Sequence, residues 1–188
     1  IIKMREDAEL YSTSEYDSMT GFYTKEAFCH HIDMTLNGTP GKSFDLVVSN
    51  IENIHSIEKL YGRETAIKVV KQMSESIKNC KIPALFYGRI RDNMFAGFGV
   101  HSENFNDDYF KEEIKHMEES SPIQNIQVKF SIYQNLDKNV PATTLLNRTA
   151  SAMETISRQY GINVAYYDEK IVERQAKDDA MENAFETA

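Results

Sequence analysis

The chain carries 188 residues, 41% of them hydrophobic, with 21 Lys and Arg against 29 Asp and Glu for a formal net charge of −8. That supplies one substantial core but is short for two full domains, and the lack of a basic run argues against a surface for nucleic acid or anionic lipid. No stretch approaches the roughly 18 consecutive apolar residues of a spanning helix, the first residues lack signal-peptide order, and Cys29 and Cys80 form no CxxC pair, so neither a disulfide framework nor a thiolate metal site is expected.

In chain order, Ile1, Met4, Ala8 and Tyr11 recur at steps of three and four, which predicts a short helix with one apolar stripe. Thr24 is placed to cap a helix bearing Ala27, Phe28, Ile32 and Leu36, and Asn37-Gly38-Thr39-Pro40-Gly41 ends it with turn chemistry. The run FDLVVSNI, residues 44–51, predicts a buried strand. Ala66, Val70, Met73 and Ile77 share one face of a helix from about Gly62 to Asn79. Two apolar runs, ALFYGRI and MFAGFGV, flank Arg91, Asp92 and Asn93 and predict a β-hairpin with a polar turn. Phe105, Tyr109, Phe110, Ile114 and Met117 mark another amphipathic helix, on whose apolar face the aromatic residues read as core. Ile126, Val128, Phe130 and Ile132 alternate with polar residues as in a half-buried strand. Pro141 opens a helix bearing Leu145, Thr149, Met153, Ile156 and Tyr160, VAYYD at 164–168 gives a last short strand, and a charged, helix-patterned run follows from Glu169. This order predicts an α/β (α+β) domain with one mixed sheet.

The segment YDSMTGFYTKEAF, residues 16–28, resembles the DxLTGLxNRxxF opening of GGDEF domains, with Asp17, Thr20, Gly21 and Phe28 in place and Thr24 and Lys25 where Asn and Arg are usual. NIENIHSIEKLYGRETAI, residues 50–67, stands where the family carries DxDxFKxxND and GHxxGD, with Ile51, Ile54, Ile57 and Gly62 keeping the apolar and turn positions. YGRIRDNMFAGF resembles the RxGGDEFxxL hairpin, keeping Arg89 and Phe95, VKFSIY the vTvSiG strand, and ASAMETISRQYGINVAYYD the ADxALYxAKxxGRNRvxxYD close. The resemblance implies a nucleotidyl-cyclase palm-like fold over residues 16–168, with a central five-stranded mixed, mainly antiparallel sheet flanked by helices. Residues 1–15 would then be an N-terminal signalling or linker helix, and residues 169–188 a C-terminal linker helix.

Active members join two GTP molecules, each held by one subunit of a dimer, with Mg²⁺ on carboxylates to neutralise the triphosphate. By this resemblance the first metal-binding Asp falls at Asn50, a neutral amide. The two signature glycines correspond to Arg91 and Asp92, and the two acidic positions to Asn93 and Met94. The guanine-recognising pair falls at Glu58 and Ile67, and Ile67 has no hydrogen-bonding group. Among the phosphate-contacting cations, Arg158 keeps its charge where Lys is usual, while Ile162 replaces an Arg. The RxxD of the family's inhibitory product site corresponds to Ile82 and Leu85, and the RxxD string at Arg89 to Asp92 overlaps the hairpin.

The expectation is therefore a non-catalytic regulatory domain of cyclic di-GMP signalling, with no catalytic residue, metal or cofactor of its own. The run MENAFETA resembles the LExALxxAL lead-in to EAL-type phosphodiesterase domains, so the partners expected are an upstream sensor domain and a downstream EAL-type domain in the same chain, with homodimerisation left open. The compartment expected is the cytoplasm, with membrane anchoring of a parent protein left open. Two alternatives would require Mg²⁺ and GTP: a diguanylate cyclase drawing on other carboxylates such as Glu52 and Asp92, or an allosteric module that holds GTP. Cys29, His30, His31 and Asp33 are not expected to bind metal, because neighbouring helix residues point about 100° apart. Arg91-Asp92-Asn93 reads as a solvated turn, and Glu112, Glu113, Glu118 and Glu119 as a solvated helix face.

Overall fold

The computed structural model describes residues 15–81, 83–157 and 159–169. The chain runs β1 (Tyr23–Thr24), α1 (Lys25–Gly38), β2 (Phe44–Ile51), α2 (Ile54–Tyr61), α3 (Arg63–Lys78), β3 (Phe86–Arg91), β4 (Met94–Val100), α4 (Asp107–Ser120), β5 (Val128–Tyr133), α5 (Ala142–Glu154) and β6 (Val164–Tyr166). The six strands form one sheet in the order β1-β3-β4-β2-β5-β6. The pairs β3/β4, β4/β2 and β2/β5 are antiparallel, and the two edges, β1/β3 and β5/β6, are parallel.

Alternation along the central strands divides the apolar residues between two layers. Phe44, Leu46 and Val48 of β2 join Phe28, Ile32 and Leu36 of α1 and Leu145 and Leu146 of α5 on one face. Ile51 of β2 and Phe95 of β4 join Ile54 and Ile57 of α2, Val70 and Met73 of α3 and Phe110 and Ile114 of α4 on the other. The expected α/β sheet flanked by helices is present, with six strands rather than five. The extra one is β1, a two-residue piece too short to leave a period in the sequence.

Three local expectations need correction. The stretch after β2 forms a helix of its own, α2, separated from α3 by Gly62 at φ 85, a conformation that glycine adopts without strain. Strand β5 is buried on both faces rather than half-buried, because Lys129 and Ser131 lie inside at 5% and 0% exposure. Helix α5 ends at Glu154, so Ile156 is buried in the following turn while Tyr160 stands fully exposed. The N-terminal helix expected over 1–15 and the run from 170 to 188 lie outside the described residues, apart from Glu15.

Polar groups fasten the strand ends. Asp17 accepts from the Thr20 amide at 2.9 Å, the Thr20 hydroxyl at 2.8 Å and the Arg89 guanidinium at 3.0 Å, tying the opening turn to β3. Burial pushes the Asp17 carboxyl up, but the Thr20 hydroxyl and the Arg89 charge together outweigh it and hold it below the usual carboxylate range. At the start of β2, fully buried Asp45 accepts from His101 Nδ1 at 2.8 Å, the Ser102 amide at 3.0 Å and the Asn135 amide at 2.9 Å. A carboxylate only accepts, so Nδ1 carries the proton. The Asp45 hydrogen bond raises the His101 pKa above its ordinary value of 6.5. That contribution to stability is complete below the unfolded-state pKa and fades as the pH climbs through the higher folded value. Urea midpoints measured between about pH 6 and about pH 9 should fall more steeply for the native protein than for His101→Gln. Equal slopes would show that the pair does not couple to folding.

Candidate functional site

The antiparallel register of β2 and β4 sets Asn50 opposite Met94, and the β3–β4 turn places Asp92 and Asn93 beside the end of β2. The Asn93 side-chain amide donates to Asn50 Oδ1 at 2.8 Å and to the Ile51 carbonyl at 2.8 Å, while the Ile51 amide donates to the Asn93 carbonyl at 3.0 Å. Asn93 thus pins the turn to β2, and it is half-buried rather than solvated.

On the other side of β2, Asn50 pairs in register with Lys129 of β5. The Lys129 side chain is 6% exposed, and its ammonium lies 3.2 Å from Glu52 Oε2. It also donates to the Gln159 carbonyl at 3.2 Å and to the Ile156 carbonyl. Three acceptors meet three N–H bonds, which makes a buried ammonium tolerable. Two of them are carbonyls just past the C-terminal end of α5, where positive charge is favoured. Sequence reading missed this residue, since a Lys in an alternating strand reads as an outward position, and only its distant partner Glu52 reveals otherwise.

The remaining positions do not converge. Met94 is 9% exposed and packs in the core layer under α1 and α5. Arg91 and Asp92 are exposed, and the Asp92 carbonyl accepts from Arg89 Nη2 at 3.0 Å. Glu58 is exposed on α2, Ile67 is half-buried on α3, and Ile162 is exposed. Arg158 lies outside the described residues.

This donor set does not suit a Mg²⁺ ion. The Asn50 oxygen already accepts a hydrogen bond from Asn93, Glu52 is neutralised by Lys129, and Met94 offers only a thioether turned into the core. Among the described residues, no group of three or more His, Cys, Asp and Glu is placed to hold a metal ion. In the Cys29 to Asp33 run, Cys29 is buried, His31 bonds Glu15 at 2.8 Å and Asp33 accepts from the Ala142 amide at 2.9 Å, so these groups turn to different partners. Glu113 departs from the solvated face expected of its cluster and is buried at 5% exposure.

No family model matches the sequence, and no curated protein matches it. Solved structures do. The coiled coil and GGDEF domain of DgcB from Caulobacter crescentus, in complex with c-di-GMP, superposes with a TM-score of 0.67 at 17% identity, covering 87% of this chain and 92% of that one. The GGDEF domain of FimX from Pseudomonas aeruginosa gives 0.64 at 14% identity, covering 80% and 98%. The S helix-GGDEF-EAL structure of Vibrio cholerae LapD, bound to c-di-GMP, gives 0.65 at 15% identity, covering 97% of this chain and 46% of that one.

The chain has the GGDEF fold. The five sequence blocks that resemble GGDEF domains run from the turn before β1 into α1, from the end of β2 into α3, over the β3–β4 hairpin, over β5, and from α5 to β6. The stretch whose sequence resembles the signature, Arg91-Asp92-Asn93-Met94-Phe95, lies on the β3–β4 hairpin.

Lys129→Met should leave Glu52 and two carbonyls without their cation. Unfolding in urea is expected to show a loss of about 3–5 kcal/mol, with a large part returned when Glu52→Gln is added. A single variant as stable as the native protein would mean that the pair contributes nothing.

Proposed function

We propose that this domain is a regulatory, non-catalytic module of cyclic di-GMP signalling that transmits the state of an upstream sensor domain to a neighbouring EAL-type phosphodiesterase domain. The observation that carries the reading is the amide contact between Asn93 and Asn50. At the positions where the family resemblance expects metal-binding carboxylates, two neutral side chains satisfy each other. Lys129, in register beside Asn50, already takes the charge of Glu52, so that carboxylate is not left over for a divalent cation.

Other features point the same way. Ile67 offers no hydrogen bond to a base, and Arg91 and Asp92 set side chains where the signature glycines would let the backbone approach phosphates. On this reading neither Mg²⁺ nor GTP is a cofactor. The likeness to LapD, whose described structure joins GGDEF to EAL, and the MENAFETA run support an EAL-type neighbour.

Incubation of the purified chain with GTP and Mg²⁺ is expected to yield no cyclic di-GMP above a protein-free control, and titration calorimetry to register no GTP binding. Metal-dependent product would overturn the proposal, and binding without turnover would replace it with a GTP-holding module. Asn50→Asp combined with Asn93→Asp and Met94→Glu is expected to remain inactive. Recovery of ordinary cyclase rates would show that Ile67, Arg91 and Asp92 do not by themselves block the reaction.

A further inference from the structure

On the sheet face covered by α3 and α4, away from the Asn50–Asn93 contact, a cleft opens between the two helices and β4. Residues 95, 97 and 99 of β4 alternate toward this face. Phe95 fills its place in the core, while the space over Gly97 is taken by Ala84 and Tyr87, 3.3–3.6 Å from where a Cβ would lie, and that over Gly99 by the Ala84 backbone at 3.5 Å. The cleft that the two glycines border is lined by the rings of Tyr87, Phe105, Tyr109 and Phe110. Its cavity volume is about 60 Å³. That is room for roughly four to six water-sized groups at 10–15 Å³ each, far too little for a nucleotide.

Glu113 of α4 lines this cleft and is more than nine-tenths buried. Lys81 makes its ion pair with exposed Glu112 at 2.7 Å, and reaches Glu113 through its backbone amide at 3.4 Å and, more weakly, through its charge. The Cys80 thiol donates its one proton to the Ser76 carbonyl at 3.6 Å and lies close enough to Glu113 to feel its charge. Burial, with the Glu113 charge behind it, pushes that thiol up to about 12, so it remains S–H. Asp45 also borders the cleft, but its oxygens are taken up by His101, Ser102 and Asn135. Glu113 is therefore the acidic group here with bonding capacity to spare. A buried carboxylate facing apolar surface is costly until a positive partner arrives, and aromatic walls also favour cations.

We propose that this cleft is a binding site for a small organic cation, whose ammonium head meets Glu113 and whose short apolar body lies between the rings. Anions and phosphorylated ligands are excluded by the carboxylate, and long chains by the volume.

Isobutylamine, protonated at neutral pH, is the probe, with isobutanol as its neutral counterpart, and amide NMR shifts of the full chain are the readout. Isobutylamine should give saturable shifts centred on Gly97, Gly99 and Glu113, with isobutanol bound about tenfold or more weakly. Glu113→Gln should weaken amine binding to the level of the alcohol, whereas Glu112→Gln should leave it unchanged. Shifts that do not saturate, equal binding of amine and alcohol, or loss of binding in Glu112→Gln would each overturn the assignment. If Glu113→Gln does not fold, the comparison of amine with alcohol on the native protein decides alone.

Discussion

Strand β2 is hydrogen-bonded along both edges, to β4 and to β5, and covered on both faces by helices. It can neither slide nor tilt without breaking two ladders and two core layers at once, because a one-residue slip would send every side chain to the wrong face. Residues at its ends are thereby held at fixed places relative to the neighbouring strands. Asn50 stands between Met94 on one side and Lys129 on the other, so the chemistry of that corner is set by which three side chains the sequence supplies there. A carboxylate, an amide or an ammonium at any one position dictates what the others can do.

Three charged groups that the fold shields sit at or beside strand ends. Asp45 sits at the beginning of β2 with three donors, Lys129 beside its far end with three acceptors, and Asp17 at the margin with Thr20 and Arg89. Each is close to its full hydrogen-bonding complement, which is the condition for a polar group to be tolerated inside a protein. Glu113 stands apart from this pattern, with long or weak partners beside an unfilled cleft.

The sequence made the architecture legible wherever periodicity was strong. FDLVVSNI is a strand with the bounds expected, Thr24 caps α1 through a hydrogen bond from the Ala27 amide, and the hairpin and the helix opened by Pro141 occur in place. Alternation could not distinguish a strand with one wet face from one covered on both, and so Lys129 and Ser131 read as exposed. Likewise Glu113 was hidden among Glu112, Glu118 and Glu119, because a helical period places residues on a face without saying how wide the covered arc is. Helix α2 carries only Ile54 and Ile57 inward over eight residues, too short a stretch for a period to stand out. The signature substitutions were legible as losses. That Asn93 and Asn50 bond to each other depends on the register of β2 and β4, which no single-residue reading supplies.

The Lys129 ammonium has one more consequence. A metal ion is a visitor whose occupancy follows its concentration outside, and it can be stripped by a chelator or displaced by a competitor. A cation carried on a four-carbon stem from a fixed strand has an effective local concentration set by covalent geometry alone. The charge balance at Glu52 is in this way internal to the chain, and it stays constant while the ionic contents of the surrounding solution change.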